Sequence, residues 1–150
     1  MTRRGRRTPV PPDPDRPENL ALLDHLRARA ARPGGPHDMD LDGWQLHTHP
    51  DLQERFIVLA SGHPVGSAYG VPVLSAGGVA AAVAYGTGIV LVRVASPPEN
   101  LAPGGSLPPL TDGEWFSVDA WQADIPQAEG TARLCALVRE AVRHTRGLGP

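Results

Sequence analysis

Two histidines separated by a single residue are the first candidates for chemistry in this chain. His47 and His49 lie in the run Gly-Trp-Gln-Leu-His-Thr-His-Pro at positions 43–50, and His63 follows further along. Imidazole is a common zinc ligand, and a catalytic zinc ion needs three protein ligands and one open position. His47, His49 and His63 are therefore candidate zinc ligands, and they predict a metal-dependent hydrolase as one function.

The His-x-His-Pro segment resembles the zinc-binding segment of JAMM-type metallopeptidases. The resemblance implies two histidines and a downstream aspartate on zinc, with an upstream glutamate as base. Here Ser61 is followed by Gly-His-Pro, so the serine-x-x-aspartate of that family is absent. The alternative is that Thr48 or His49 caps a helix beginning at Pro50, since proline is favoured in a first helical turn. We favour the cap, because two ligands without a third do not make a zinc site.

Other side chains with ligating or reactive groups predict structural roles. Cys135 lies within an apolar helical pattern, which predicts a small residue in or beside the core rather than a nucleophile. Asp38, Asp40 and Asp42 alternate as in a calcium loop, but His49 stands at the twelfth position, where such a loop needs glutamate. A solvated acidic loop is the expectation for those three residues.

The composition predicts one small domain with a basic tail. The chain has 150 residues, of which 41% are hydrophobic and 20% charged, enough for one core. Residues 1–17 hold five arginines against two aspartates and are predicted to be a disordered tail, whereas residues 18–150 form the domain and carry a net charge of −5. Nucleic acid is therefore expected to bind only through the tail, in a salt-dependent way.

Cysteine usage and hydropathy predict a cytoplasmic protein. A single cysteine excludes an internal disulfide and any multi-cysteine metal site, which suits a reducing compartment. Residues 56–92 contain no Asp, Glu, Lys or Arg, but glycine turns and Pro72 divide them into strand-length runs. No membrane span is predicted from such a pattern.

Helices are predicted on both sides of a central sheet. Residues 18–32 place leucines at helical spacing before a Pro-Gly-Gly-Pro break, and residues 126–146 form the clearest amphipathic pattern. Residues 50–61 are predicted as a second helix with Phe56 and Leu59 on its apolar face. The run Phe-Ile-Val-Leu at 56–59 also suits a strand, so both interpretations stay open here.

Glycines divide the centre of the chain into short strands. Residues 70–75, 79–85 and 89–95 are separated by Gly77-Gly78 and by Gly-Thr-Gly at 86–88, as in hairpins. Residues 115–119 add a fourth strand after a long Pro/Gly-rich loop at 96–114. The sequence predicts an α+β fold: a four-stranded antiparallel meander, a C-terminal amphipathic helix on one face and two N-terminal helices.

From residue 51 onward this order resembles the small domain of the TfoX N-terminal and MmcQ/YjbR-like proteins. The resemblance covers about two thirds of the chain (51–146), and it is carried by Leu-Gln-Glu-Arg-Phe-Ile-Val-Leu-Ala at 52–60, Tyr-Gly-Val-Pro-Val-Leu at 69–74, Gly-Gly-Val-Ala-Ala-Ala-Val-Ala at 77–84, Ile-Val-Leu-Val-Arg at 89–93 and Glu-Trp-Phe-Ser-Val at 114–118. Val79 stands where members often have lysine, and the basic and aromatic signature before the fourth strand is missing. The family implies a regulatory or interaction domain, sometimes linked to competence control, without agreed catalytic residues. No site residue is carried over.

The function predicted from the sequence is a non-catalytic regulatory or protein-interaction domain with no cofactor and an unidentified protein partner. A zinc-dependent hydrolase and weak nucleic-acid binding through residues 3–7 are the alternatives. Any ligand site is expected where the 96–114 loop meets the segment from His47 to His49, because loops on a rigid scaffold carry function. A homodimer through an open sheet edge is a further option, since an unpaired edge must be covered or blunted.

Overall fold

The chain folds as an α+β domain, in the computed structural model that describes residues 12–30, 48–104 and 115–148. A short 3-10 helix, Pro17–Asn19, leads into α1 (Leu20–Ala30), and α2 follows at Pro50–Leu59. The strands are β1 (Gly66–Ala68), β2 (Val71–Ala76), β3 (Val79–Tyr85), β4 (Ile89–Arg93) and β5 (Trp115–Asp119). The last element is α3 (Gln127–Arg146). The predicted fold class is confirmed.

The strands form one antiparallel sheet in the order β1-β2-β3-β4-β5. The structure corrects the predicted number of strands from four to five, because β1 pairs with β2 across the two-residue turn Tyr69-Gly70. Both turn residues have positive φ, 52° and 81°, as a type I′ hairpin turn requires. Tyrosine rarely adopts this conformation, which is why the sequence pattern did not reveal the turn.

The sheet is covered on both faces. α2 and α3 pack on one face, where the core includes Phe56, Leu74, Val92 and Leu134. α1 packs on the opposite face, where Leu22 and Leu26 contact a cluster that consists of Val71, Val73, Ala80, Val83, Tyr85 and Leu91. The predicted placement of the C-terminal helix on one face is confirmed, and the first helix accounts for the other. Burial on both faces explains why β3 is apolar along its whole length.

Residues 56–59 belong to a helix and not to a strand. Phe56 and Leu59 are fully buried, whereas Ile57 and Val58 between them are 61% and 56% exposed. This spacing fits one buried face of a helix with its outer side in solvent. In α3 the same logic holds, since Leu134, Val138, Ala141, Val142 and Thr145 are its buried side chains beyond the first turn.

The first described residues are tied to the β2–β3 turn. Asp13 N donates to Gly78 O at 2.8 Å, and the buried Asn19 side chain donates to the same oxygen at 2.9 Å. Asn19 Oδ1 in turn accepts from Ala80 N at 2.9 Å. Asp13, which lies in the predicted tail of residues 1–17, thus contacts the β2–β3 turn, and residues 1–11 lie outside the described residues. The boundary between residues 17 and 18 stays a prediction.

Arg93 connects the N-terminal segment to three strands. Its guanidinium is almost fully buried, and it donates from Nε to Ala80 O at 2.8 Å and from Nη2 to Glu18 O at 2.9 Å. The same group lies 4.5 Å from the centre of the Trp115 ring. A buried cation needs such carbonyl and aromatic partners, so Arg93 has a structural role at this end of β4. No helix among the described residues has the length and hydropathy to cross a membrane.

Candidate functional site

The histidine before α2 is the N-cap of that helix. His49 has an extended backbone, and its Nδ1 accepts a hydrogen bond from Asp51 N at 3.1 Å. Its own N–H donates to Gly86 O at 2.8 Å, which fixes the helix start against the end of β3. The buried Thr48 hydroxyl donates to Ala84 O at 2.8 Å. The prediction that Thr48 or His49 caps this helix is confirmed for His49.

The predicted zinc ligands are only partly within the described residues. His49 and His63 flank opposite ends of α2, whose ten residues span about 15 Å. Because Nδ1 of His49 is the cap acceptor, only its Nε2 is left to bind an ion. Residues 12–30, 48–104 and 115–148 contain no group of three His, Cys, Asp or Glu side chains able to hold a metal. His47 lies outside these ranges, so the three-histidine site stays a prediction.

An indole and a guanidinium hold the β3–β4 turn in place. Trp121 Nε1 donates to Thr87 O at 3.0 Å, and the ring lies so close to Gly88 that a Cβ there would be 3.1 Å from the indole. Arg55 of α2 lies 5.4 Å from the centre of the Trp121 ring and donates to Ala120 O at 3.0 Å. The groups around Trp121 thus join α2, the turn and the end of β5. This arrangement positions backbone and contains no nucleophile.

The described part of the 96–114 loop covers the outer edge of β5. Pro103 forms an isolated bridge with Val118, and Asp119 N donates to Ala102 O at 3.0 Å. The Gln122 amide completes the contact: its Oε1 accepts from Ala102 N at 2.8 Å, and its Nε2 donates to Ala102 O at 2.9 Å and Asp119 O at 2.7 Å. Residues 102–104 therefore take the place of a neighbouring strand, and Gln122 holds them on β5.

The expected meeting of this loop with the histidine segment stays a prediction. The described loop residues contact β5 and Gln122, while His49 contacts the β3–β4 turn. No hydrogen bond joins the two segments directly within the ranges that the structure covers. Residues 47 and 105–114 lie outside those ranges. The stretch 119–122 is the part of the molecule that both segments reach, the histidine segment through Arg55 of the helix that it begins.

A pocket of about 370 Å³ lies between this loop and α3. Its cation is already engaged, because Arg133 donates to Asn100 O at 2.7 Å and pairs with Glu129. Cys135, on the same helix, is half-buried and packs against the core beside α2, as the sequence predicted. Glu99 also lines the pocket and is exposed, so the described lining offers a carboxylate but no cation that is not already engaged.

The opposite edge of the sheet is formed by β1, and its backbone groups point outward. Ser67 is paired with Pro72, which has no N–H to donate. Hydrogen-bonded and non-hydrogen-bonded pairs alternate in an antiparallel ladder, so Ser67–Pro72 is the non-bonded pair and its neighbours carry the bonds to β2. The N–H and C=O of Ser67 then face away from β2. They have no hydrogen-bond partner among the described residues.

A shallow groove of about 340 Å³ lies between this edge and α2. It is lined by Gln53, Ile57, Val65, Gly66, Ser67, Gly70 and Pro72, none of which is charged. Ile57 in the lining is 61% exposed, and Tyr69 in the adjacent β1–β2 turn is 46% exposed. Ser67 is the exposed polar residue of the lining. Edge and groove together form a surface that we call the β1 surface, defined by β1, Ile57 and Tyr69.

Sequence reasoning missed the β1 surface because it missed β1. The available signal was Tyr69-Gly70, a dipeptide with glycine in second place that precedes an apolar strand. Gly77-Gly78, which the sequence predicts to be a hairpin turn, has positive φ at both residues as well, 61° and 84°. The exposure of Ile57 and Val58 could not be predicted either, because all four residues of the run 56–59 are apolar and the sequence does not show which of them face solvent.

Comparison with known proteins gives this chain no relative. No protein-family model matches it, and it matches neither a curated protein nor a solved structure.

Proposed function

We propose that this chain is a non-catalytic protein-interaction domain that binds its partner through the β1 surface. The observation that carries the proposal is an edge strand whose outward N–H and C=O lie beside exposed apolar side chains. Unpaired strand edges are templates for pairing with another chain. Apolar side chains beside such an edge add the contact area that backbone hydrogen bonds alone lack.

The absence of charge on this surface supports the proposal. Natural edges are often protected by charged side chains, yet residues 56–92 contain no Asp, Glu, Lys or Arg. β1 itself is only three residues long, which limits how far backbone pairing can extend. The exposed faces of Ile57 and Tyr69 must then contribute to binding, so an interaction through this surface depends on both backbone and side chains.

The resemblance to TfoX N-terminal and MmcQ/YjbR-like proteins supports the same class of function, since it implies a small regulatory or interaction domain. A cytoplasmic location is part of the proposal and rests on the use of a single cysteine. The zinc-dependent hydrolase gains no specific support, because the cap bond occupies one nitrogen of His49.

Substitution of one exposed apolar residue tests the proposal. Tagged wild-type protein, Ile57→Lys and a matched control, Leu20→Lys, are cross-linked in an extract of the source cells, and bound proteins are quantified by mass spectrometry. Leu20 is also exposed (52%) but lies on α1, on the opposite face of the sheet. We expect wild type and Leu20→Lys to capture the same protein and Ile57→Lys to lose it. Equal capture by all three contradicts the proposal, as does a wild type that captures neither another protein nor an untagged copy of this chain.

A further inference from the structure

We propose that the partner at the β1 surface is a second copy of this chain, paired antiparallel through β1 across a two-fold axis at Ser67. This inference rests on the proposed function and names its partner. It follows from three properties of the surface: the direction of its backbone groups, its self-complementarity and its lack of charge.

The backbone directions are set by Pro72. Because proline has no N–H, Ser67 cannot be in a hydrogen-bonded pair with it, and both polar backbone groups of Ser67 point to the open edge. Gly66 and Ala68 direct their own groups toward Val73 and Val71 of β2. Ser67 is thus the residue of β1 that can pair with another strand.

A single outward residue suits pairing with itself. In a hydrogen-bonded antiparallel pair the two opposed residues exchange both N–H···O bonds. When the two-fold axis passes between the two copies of Ser67, each serine donates to and accepts from the other. This is an isologous contact, in which the same surface serves both partners and no further surface is left to extend the assembly.

The two-fold axis also brings like apolar side chains together. An axis perpendicular to the sheet keeps α2 of both copies on the same side, with the exposed Ile57 side chains directed across the shared edge. A standard interface buries about 800 Å² on each partner, more than a three-residue strand supplies. Ile57 and Tyr69 therefore have to contribute, and the dimer is expected to depend on them.

Charge favours a second copy over a charged partner. The nearest Asp, Glu, Lys or Arg positions in sequence are Arg55 and Arg93, and Arg93 is buried. The groove lining and β1 carry no charge, so two copies can approach through them without like-charge repulsion. The exposed Glu54 lies one helical turn from Ile57. A partner recognised by ion pairs finds no charge on the surface to pair with.

The mass of the purified protein in solution tests the dimer. Sedimentation equilibrium or light scattering over a wide range of concentration is applied to wild type, Ser67→Pro and Ser67→Ala. Proline removes the outward N–H but no bond to β2, so the fold tolerates it, and alanine keeps the N–H. We expect twice the chain mass of 15.9 kDa for wild type and Ser67→Ala, and the single chain mass for Ser67→Pro.

Circular dichroism shows whether Ser67→Pro is folded. If it is not, Ile57→Lys tests the dimer in its place. A folded Ile57→Lys should be monomeric, while Leu20→Lys should remain dimeric. A wild type that stays monomeric at every concentration overturns the dimer but not the interaction domain, which the extract experiment decides separately. A dimer that persists in folded Ser67→Pro and Ile57→Lys also overturns the inference, because it must then form elsewhere.

Discussion

The two edge strands of the sheet differ in whether other described residues cover their outward backbone groups. At β5, residues 102–104 and the Gln122 amide meet the backbone groups of the strand, so this edge is closed by the chain itself. At β1, Ser67 presents its N–H and C=O without a partner among the described residues, next to exposed Ile57. At the closed edge Gln122 holds the covering loop in place, whereas no described residue covers the open edge.

This difference indicates that the β5 edge serves to hold the fold together, whereas the β1 edge is accessible to a binding partner. Gly104 fits at the closed edge because a Cβ there would lie 3.0 Å from Val118 O. Such a close approach commits the loop to β5 and leaves no room for another strand. At β1 the groove toward α2 is shallow, uncharged and accessible. A partner strand can therefore join only at β1 without first displacing part of the described chain.

Removing the Gln122 amide should have the largest effect, because it opens the closed edge. Gln122→Ala leaves Ala102 N, Ala102 O and Asp119 O without their side-chain partner, at a cost of about 3 kcal/mol in the free energy of unfolding. Chemical denaturation measures that loss. Hydrogen exchange should also show faster exchange at the Asp119 amide, whose bond to Ala102 O depends on the loop.

Gln53→Ala is the matched control for that variant. Gln53 makes one side-chain bond, to Thr48 O at 3.0 Å, and should lose much less stability. If Gln122→Ala also exposes a second edge, it should self-associate even when combined with Ser67→Pro. Unchanged stability and unchanged exchange at Asp119 would show that Gln122 does not hold the loop on β5.

Thr48→Val tests the side of β2 that faces β3, and it should cause the next largest loss of stability. One step beyond the Val73–Val83 pair, the register places Pro72 opposite Ala84, where proline cannot donate to Ala84 O. The Thr48 hydroxyl donates instead, at 2.8 Å in a buried position. Its removal should cost about 2 kcal/mol in the free energy of unfolding, because a buried carbonyl loses its partner.

A double-mutant cycle tests whether the Thr48 hydroxyl replaces the N–H that Pro72 lacks as the donor to Ala84 O. Thr48→Ser keeps the hydroxyl and should retain most of the stability. Pro72→Ala restores an N–H opposite Ala84, so Thr48→Val should be less harmful in the Pro72→Ala background than in wild type. Additive effects of the two changes would mean that Thr48 and Pro72 do not act on the same carbonyl.

His49→Ala should have a smaller effect, since the cap lies at the surface. Loss of the bond from Asp51 N to Nδ1 should lower the free energy of unfolding by about 1 kcal/mol. His49→Asp supplies a better cap acceptor and should restore the stability. The alanine variant also tests the zinc hypothesis: about one zinc per purified chain, lost in His49→Ala, would favour a metal site over a cap.

Much of the fold could be predicted from the sequence because its signals are local. Gly77-Gly78 and the β-branched residues of β4 specify hairpins within a few residues, and the apolar spacing of α3 specifies one buried face. The start of α2 was predictable for the same reason, since Pro50 follows a residue able to cap. These elements are decided by neighbours in the chain.

The β1 surface could not be predicted, because it depends on pairing between distant atoms and on exposure. That Ser67 faces outward follows from its register with Pro72, which no local pattern states. That Gln122 closes β5 depends on a loop twenty residues away in sequence. The closed edge and the open edge look alike in the sequence, and only the packed chain distinguishes them.

Lowering the pH should cause the smallest loss of stability. This loss should be larger on the β1–β2 side of the sheet than at β5. The hydrogen bond from Arg16 lowers the pKa of Glu18 from its ordinary value of 4.5. A carboxyl group with a lowered pKa stabilises the folded state above its unfolded pKa, and this contribution is lost as the pH falls through the folded pKa.

Glu18 belongs to the segment that fastens the β2–β3 turn through Asn19. As the pH falls through the lowered pKa of Glu18, the Ala80 amide, which donates to Asn19 Oδ1, should therefore lose protection against hydrogen exchange before the amides of β5 do. In Glu18→Gln this difference between acid and neutral pH should shrink, because the neutral amide does not titrate. Equal loss at both edges would mean that the Arg16–Glu18 pair does not favour one side of the sheet, and the contrast between the edges would then rest on β1 and Gln122 alone.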